Sequence, residues 1–278
     1  MSGERVSLRE ASRRLGLHYM TVYRHVRTGR LPAQKTGDQW EVEVADLERL
    51  RSGTAARRPP GRRGDPAPGA RVPHLAARLI GGDEPGAWML VEAAMAAGAD
   101  ASAIYTELFV PVLRLIGDGW ERGEVSIADE HRATAVMQRL IGRMGPQFRR
   151  RGRSRGSVVL GAPEGEFHAL PGALAADLLR GAGYAVVDLG PDVPTASFVD
   201  CASSLPTGTI VGVVVTTRRC LPAARRLVRA LRSGRGDIVL AVGGAAVTRE
   251  EAASMDATLW APDAGTLIDA LSSAVDPS

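Results

Sequence analysis

From Ser157 onward, short apolar runs alternate with helical patterns. The runs are Val158–Leu160, Ala185–Leu189, Ile210–Thr216, Ile238–Val242 and a weaker Thr258–Trp260. Repeated βα units at this spacing build a parallel sheet. Five strands predict a flavodoxin-like or Rossmann-like doubly wound domain over residues 153–278. Such a sheet presents ligands beyond the carboxyl ends of its strands. The segment Glu166-Phe-His168 falls there, between the first run and a helical pattern from Ala173 to Leu179. A histidine in that place can coordinate a metal, and a carboxylate two residues before it can fix the tautomer.

Residues 73–152 read as helical throughout. Leu75, Leu79 and Ile80 begin the pattern, and Pro85 suits the first turn of a helix running toward Gly98. From Ala101 to Trp120 one face carries Ile104, Leu108, Val112, Leu115 and Ile116, with Pro111 bending or breaking the helix. Ser126 caps a last helix to Met144, with Asp129 and Glu130 in its first turn. Four helices joined by short loops predict a four-helix bundle. Residues 53–72 are rich in Arg, Pro and Gly, cannot build a core, and read as a disordered tether. The whole is a multidomain α and α/β chain.

Residues 1–52 are punctuated like a winged helix-turn-helix. Ser7 caps a helix Leu8–Leu15 with Glu10 at the capping-box spacing, and Gly16 permits the turn. A second helix, about His18 to Thr28, ends at Gly29. A hairpin turns at Gly37-Asp38, and Glu43 to Leu50 form a third helix. The second helix of such a motif enters the major groove of duplex DNA. Val22 and Val26 face the core, leaving Tyr19, Thr21, Arg24 and His25 outward. Arg24 is placed for a guanine, a contact worth ~1–3 kcal/mol of discrimination. Arg27, Arg30 and Lys35 are placed for phosphates. Net charge is only +4, but arginine concentrates in the N-terminal third and around Phe148 to Arg155, which favours a polyanion partner.

Other classes are disfavoured. No run of 18 apolar residues exists, so no membrane partner is expected. The N-terminus lacks a signal pattern, and Cys201 and Cys220 have no metal-type spacing, so a cytoplasmic protein with reduced thiols is expected. Nothing in the chain points to an enzyme.

Two resemblances sharpen this reading. Ser7-Leu-Arg-Glu-Ala-Ser-Arg-Arg-Leu-Gly16, Thr21-Val-Tyr-Arg-His-Val-Arg-Thr-Gly-Arg-Leu-Pro32 and a wing ending at Trp40 resemble the head of the MerR superfamily, closest to its excisionase-like or BldC-like branch. That resemblance implies operator DNA as partner and a homo-oligomer, dimer or tetramer. From about His74 to Ala274, Trp120 with Glu130-His131, then Glu166-Phe-His168, then Gly243-Gly244 resemble the cobalamin-binding module of methionine synthase and corrinoid proteins, nearest to CarH/LitR-type light-sensing repressors. Cobalamin needs a lower ligand, a groove for its nucleotide tail and a lid for its upper face. His168 suits the first, oriented by Glu166. Thr216, Thr217, Gly243 and Gly244 at strand ends suit the second. Trp120 supplies an apolar plate, with Glu130 and His131 as a polar rim. The resemblance implies adenosylcobalamin held base-off on His168 and a light-responsive transcriptional repressor whose cofactor state sets oligomerisation. Glu121 stands where those photoreceptors carry a second histidine. Two readings stay open beside this one. The first is a regulator sensing cobalamin level, another tetrapyrrole or no ligand; the second is a corrinoid carrier subunit of a methyltransferase or mutase.

Overall fold

A computed structural model of the protein describes residues 4–17, 19–27, 31–36, 39–51, 67–150, 152–234 and 236–275. The chain divides into two units, residues 1–140 and 141–278.

The first unit begins with β1 (Arg5–Ser7), a strand too short to show alternation in the sequence. It pairs antiparallel with β3 (Gln39–Glu43), which pairs in turn with β2 (Gln34–Thr36). Ser7 starts α1 (Leu8–Leu15) by accepting the Glu10 N–H at 3.3 Å. The Glu10 carboxylate takes the Arg14 guanidinium at 3.2 Å, so only the serine half of the expected capping box is seen. Gly16 closes the helix at φ 66°, a left-handed position that glycine occupies without strain. α2 (Tyr19–Arg27) and α3 (Val44–Arg51) follow. Val22 and Val26 pack with Leu8, Ala11, Leu31, Val42 and Leu47, as their spacing predicts. The expected helix limits His18, Thr28 and Gly29 and the turn Gly37-Asp38 lie outside the described residues.

A single 3-10 turn, Pro68–Arg71, leads into the bundle. It corrects the last part of the expected tether: Pro68 is buried, and its ring fixes φ for a helical start. The bundle comprises α4 (Val72–Ile80), α5 (Glu84–Ala96), α6 (Ala101–Ala103) continuing as a π-turn Ile104–Phe109 into α7 (Val110–Glu121), and α8 (Ile127–Met144). Asp83 caps α5 through the Gly86 N–H, and Asp100 caps α6 through the Ala103 N–H, both at 2.8 Å. Pro111 neither breaks nor sharply ends the helix. It lacks the N–H that would bond four residues back, and the backbone widens ahead of it while Tyr105 and Phe109 stack in the core at 5.3 Å.

The second unit holds β4 (Ser157–Gly161), α9 (Ala169–Gly181), β5 (Ala185–Asp188), α10 (Thr195–Ser203), β6 (Ile210–Val214), α11 (Leu221–Gly234), β7 (Val239–Gly243), α12 (Arg249–Ser254), β8 (Leu259–Ala261) and α13 (Ala264–Val275). All strands are parallel, in the order β5-β4-β6-β7-β8. Alternation sorts the sheet's two faces. Val158, Ile210 and Ala241 pack on Leu179 of α9 and Leu267 and Leu271 of α13. Val159, Val211, Val213, Leu240 and Val242 pack on Phe198, Leu227, Leu231 and Ala252 of α10 to α12. Both faces are therefore covered, as a parallel sheet requires. The chain leaves β4 toward β5 and returns to β6 on the other side, so the carboxyl ends of β4 and β6 form the switch point where ligands bind.

Candidate functional site

The segment after β4 puts Glu166 and His168 at that switch point. Glu166 is 1% exposed in its side chain, an unusual place for a carboxylate, and each of its oxygens is satisfied. Oε2 accepts the backbone N–H groups of Thr216 and Thr217, at 2.8 and 2.7 Å, from the segment after β6. Oε1 lies 2.5 Å from His168 Nδ1 and also accepts the His168 N–H at 3.3 Å. Burial alone would push Glu166 upward. The hydrogen bonds from the His168 ring and the amides of Thr217, Thr216 and His168 outweigh it and lower the group from 4.5 to about 2. A carboxylate ionised at neutral pH makes Nδ1 the protonated nitrogen and aims the other nitrogen away from it. The imidazole is 52% exposed and stands just before α9. Thr217 Oγ1 lies 3.3 Å from the same Nδ1.

Thr216 and Thr217 thus carry a role that their sequence position did not suggest: their amides hold Glu166. The Thr216 hydroxyl is buried with no hydrogen-bond partner. At the ends of β6 to β8, a mainly apolar cleft of about 90 Å³ is lined by Gly212, Gly243, Gly244, Ala241 and Ala261. The two expected tail glycines are required by the sheet itself. A Cβ on Gly243 would strike the carbonyl of Ala261, and one on Gly244, at φ 106°, would sit 2.5 Å from the Val215 carbonyl. The close approach that glycine permits here is between the protein's own backbones. Arg218 is directed outward to Glu251 of α12 at 2.9 Å.

Asp192 was not singled out by the sequence. Its Oδ1 accepts the Gly165 N–H at 2.7 Å, and its own N–H donates to the Glu166 carbonyl at 2.8 Å. The signal available was the turn composition Gly190-Pro-Asp-Val-Pro194, in which Asp tolerates left-handed backbone.

In the first unit Trp120 ends α7 half-exposed, at 50%. Glu130 and His131 lie in the first turn of α8, with His131 Nδ1 2.9 Å from Glu130 Oε2 and the Thr134 hydroxyl donating to Glu130 Oε1 at 2.8 Å. Of the expected DNA-contacting residues, Tyr19 is exposed on α2 and stacks on Tyr23 at 6.4 Å, and His25 is half-buried. The side chains of Thr21, Arg24, Arg27 and Lys35, and all of Arg30, lie outside what the structure describes.

Among the described residues no cluster of three or more His, Cys, Asp or Glu could hold a bare metal ion. One oriented imidazole suits a metal whose remaining positions come from elsewhere, such as a macrocycle. The comparison with known families agrees. Residues 74–144 and residues 156–267 match two families, each described as a B12 binding domain. The chain carries two B12-binding domains. Residues 6–54 match a helix-turn-helix domain. The chain is 28% identical over 186 residues to trimethylamine corrinoid protein 1 of Methanosarcina mazei, covering 66% of this chain and 86% of that one. A corrinoid protein of Desulfitobacterium hafniense is 24% identical over 197 residues, covering 69% and 91%. In fold, a monomethylamine corrinoid protein of Methanosarcina barkeri superposes with a TM-score of 0.66 at 20% identity, over 72% of this chain and 96% of that one.

These relatives correct the functional expectation. The relatives found over the B12-binding domains are corrinoid proteins, one of them named for trimethylamine, and they back the corrinoid-carrier reading over that of a light-responsive transcriptional regulator. The physical reason is plain. An oriented imidazole, a small-residue cleft and an exposed Trp are features that suit holding a corrinoid, and none of them encodes what is done with it. Among the described residues no helix is long and apolar enough to cross a membrane.

Proposed function

We propose that the protein is a corrinoid carrier for methyl transfer, not an enzyme in its own right. The His168 imidazole, held by an ionised, buried Glu166 at the switch point of the sheet, supports the corrinoid, and the likeness to corrinoid proteins named for methylamines carries the methyl-transfer part of the reading. A bound corrinoid supplies a cobalt centre that takes up and gives back a methyl group. The chain's own residues do the rest. His168 would hold the cobalt through the ring nitrogen that faces away from Glu166. Glu166 keeps the proton on Nδ1 and fixes the ring's direction. The orphaned hydroxyl of Thr216 and the cleft beside Gly243 and Gly244 receive the nucleotide tail. The group such a corrinoid would carry is methyl, in place of the adenosyl group expected from the sequence.

The test is an absorption and electron paramagnetic resonance study of the full chain loaded with cobalamin and reduced to Co(II). The expected spectrum is base-off, with splitting from one protein-derived nitrogen. His168→Ala abolishes that splitting. Wild-type protein that takes up no cobalamin overturns the reading.

The helix-turn-helix match favours a separate property of residues 6–54, binding of duplex DNA through α2. Fluorescence anisotropy with labelled duplexes tests it. Affinity falling steeply with salt is expected, and Tyr19→Ala weakens it. No binding at low salt removes this property and leaves the carrier reading intact.

A further inference from the structure

Glu166 is reached from both sides of the switch point. On the β6 side its carboxylate takes the amides of Thr216 and Thr217. On the β5 side its backbone is held through the loop Gly190–Val193. Ala162 N–H donates to the Gly190 carbonyl, Val193 N–H donates to the Ala162 carbonyl, and Pro163 pairs with Val193 in an isolated bridge. Asp192 makes the two contacts nearest to Glu166, one to the Gly165 N–H and one to the Glu166 carbonyl. Asp192 does this at φ 53°, one of two described non-glycine residues in the left-handed region. A side chain there is unfavourable unless the surroundings impose it. Gly165, at φ 87°, is also held at its carbonyl by the Cys220 thiol at 3.3 Å.

Resting on the carrier reading, we propose that Asp192 is a positioning residue for the cobalt ligand. Its carboxylate and amide set the depth of the Gly165-Glu166 backbone, which sets the Glu166 carboxylate and, through it, the direction of the His168 ring. The carboxylate on Thr216 and Thr217 fixes one end of Glu166, and Asp192 fixes the other. Without the second anchor the side chain can keep its amides while its backbone shifts, and the imidazole moves with it.

Two variants separate this from a merely structural role. Asp192→Gly accepts φ 53° freely and deletes the carboxylate; Asp192→Asn tolerates the same backbone and keeps an acceptor oxygen. Three measurements are made on each: thermal unfolding, amide exchange at Gly165 in corrinoid-free protein, and the nitrogen splitting of Co(II) in the cobalamin-loaded chain. Asp192→Gly is expected to unfold near the wild-type temperature. Its Gly165 amide exchanges roughly tenfold faster. It binds cobalamin with the imidazole held to cobalt roughly 10- to 100-fold more weakly. Asp192→Asn restores both properties. Wild-type exchange or wild-type ligation in Asp192→Gly overturns the proposal, as does failure of Asp192→Asn to restore them. If the wild type itself takes up no cobalamin, the carrier reading falls and this assignment with it, a result unlike loss of ligation in the variant alone.

Discussion

Glu166 Oε1 lies 2.5 Å from His168 Nδ1 while its Oε2 holds two amides from the segment after β6. One buried carboxylate therefore orients the imidazole and ties two strand ends together. Glu166→Ala removes both functions. Two partly buried N–H groups lose their acceptor, each at about 1 kcal/mol or more. Urea denaturation of corrinoid-free protein should show a loss of at least about 2 kcal/mol. Glu166→Gln keeps an oxygen for those amides and should lose less stability. A change below 0.5 kcal/mol in Glu166→Ala, on the order of an ordinary surface substitution, would sink this account.

The same carboxylate predicts an acid response. Glu166 is lowered from 4.5 to about 2 in the folded protein. Above the unfolded value its stabilisation is fully present, roughly 3 kcal/mol for a shift of this size. As pH falls the unfolded chain takes up this proton first, so the contribution declines through the range between those values and is lost below about 2. Urea midpoints of corrinoid-free protein, measured from pH 6 down to pH 3, should fall more steeply for the wild type than for Glu166→Gln. Parallel slopes would assign the acid sensitivity to other groups.

Two glycine substitutions should move stability in opposite directions. Gly244→Ala forces a Cβ against the Val215 carbonyl at φ 106°, where neither backbone can yield without disturbing the end of β7. A loss of about 2 kcal/mol or more is expected. Gly142 lies in α8 with open space where its Cβ would be. Gly142→Ala should gain about 0.5–1 kcal/mol from helix propensity. Thermal melts of both variants check this, and a neutral Gly244→Ala would contradict the close packing of β7 on the loop after β6.

What was legible in the sequence was what local chemistry encodes. Ser7, Gly16 and the Val22–Val26 spacing mark the helix-turn-helix, and five apolar runs mark the sheet. The pairing of Glu166 with Thr216 and Thr217 was not legible, because it spans fifty residues and uses backbone N–H groups, whose partners side-chain identity does not encode. Pro111 was visible as an irregularity, but the choice of a π-turn over a break belongs to the packing of Tyr105 and Phe109. Gly243 and Gly244 read in the sequence as lining a groove for the cofactor's tail, while the groups that approach them in the fold, Ala261 and Val215, lie on other strand ends. Function was the least legible. The residues that suit a corrinoid say nothing of its use, and the helix-turn-helix drew the reading toward regulation.

The two thiols should differ in reactivity. Cys201, in α10, is partly exposed, whereas Cys220 is buried and donates its S–H to the Gly165 carbonyl at 3.3 Å. Burial first, then the negative charge of Glu166, push the Cys220 thiol up, against a smaller opposite pull from Arg219. The thiolate is the reactive form, so Cys220 is disfavoured by both access and ionisation. With an aromatic disulfide reagent at pH 8, native protein should show one fast and one slow thiol. Cys201→Ser should delete the fast phase alone. Modifying Cys220 inserts bulk beside Gly165, so the slow phase should be accompanied by faster exchange of the Gly165 amide. A fast phase that survives in Cys201→Ser would mean that the segment around Gly165 opens readily, contrary to the anchoring by Asp192 and Thr217.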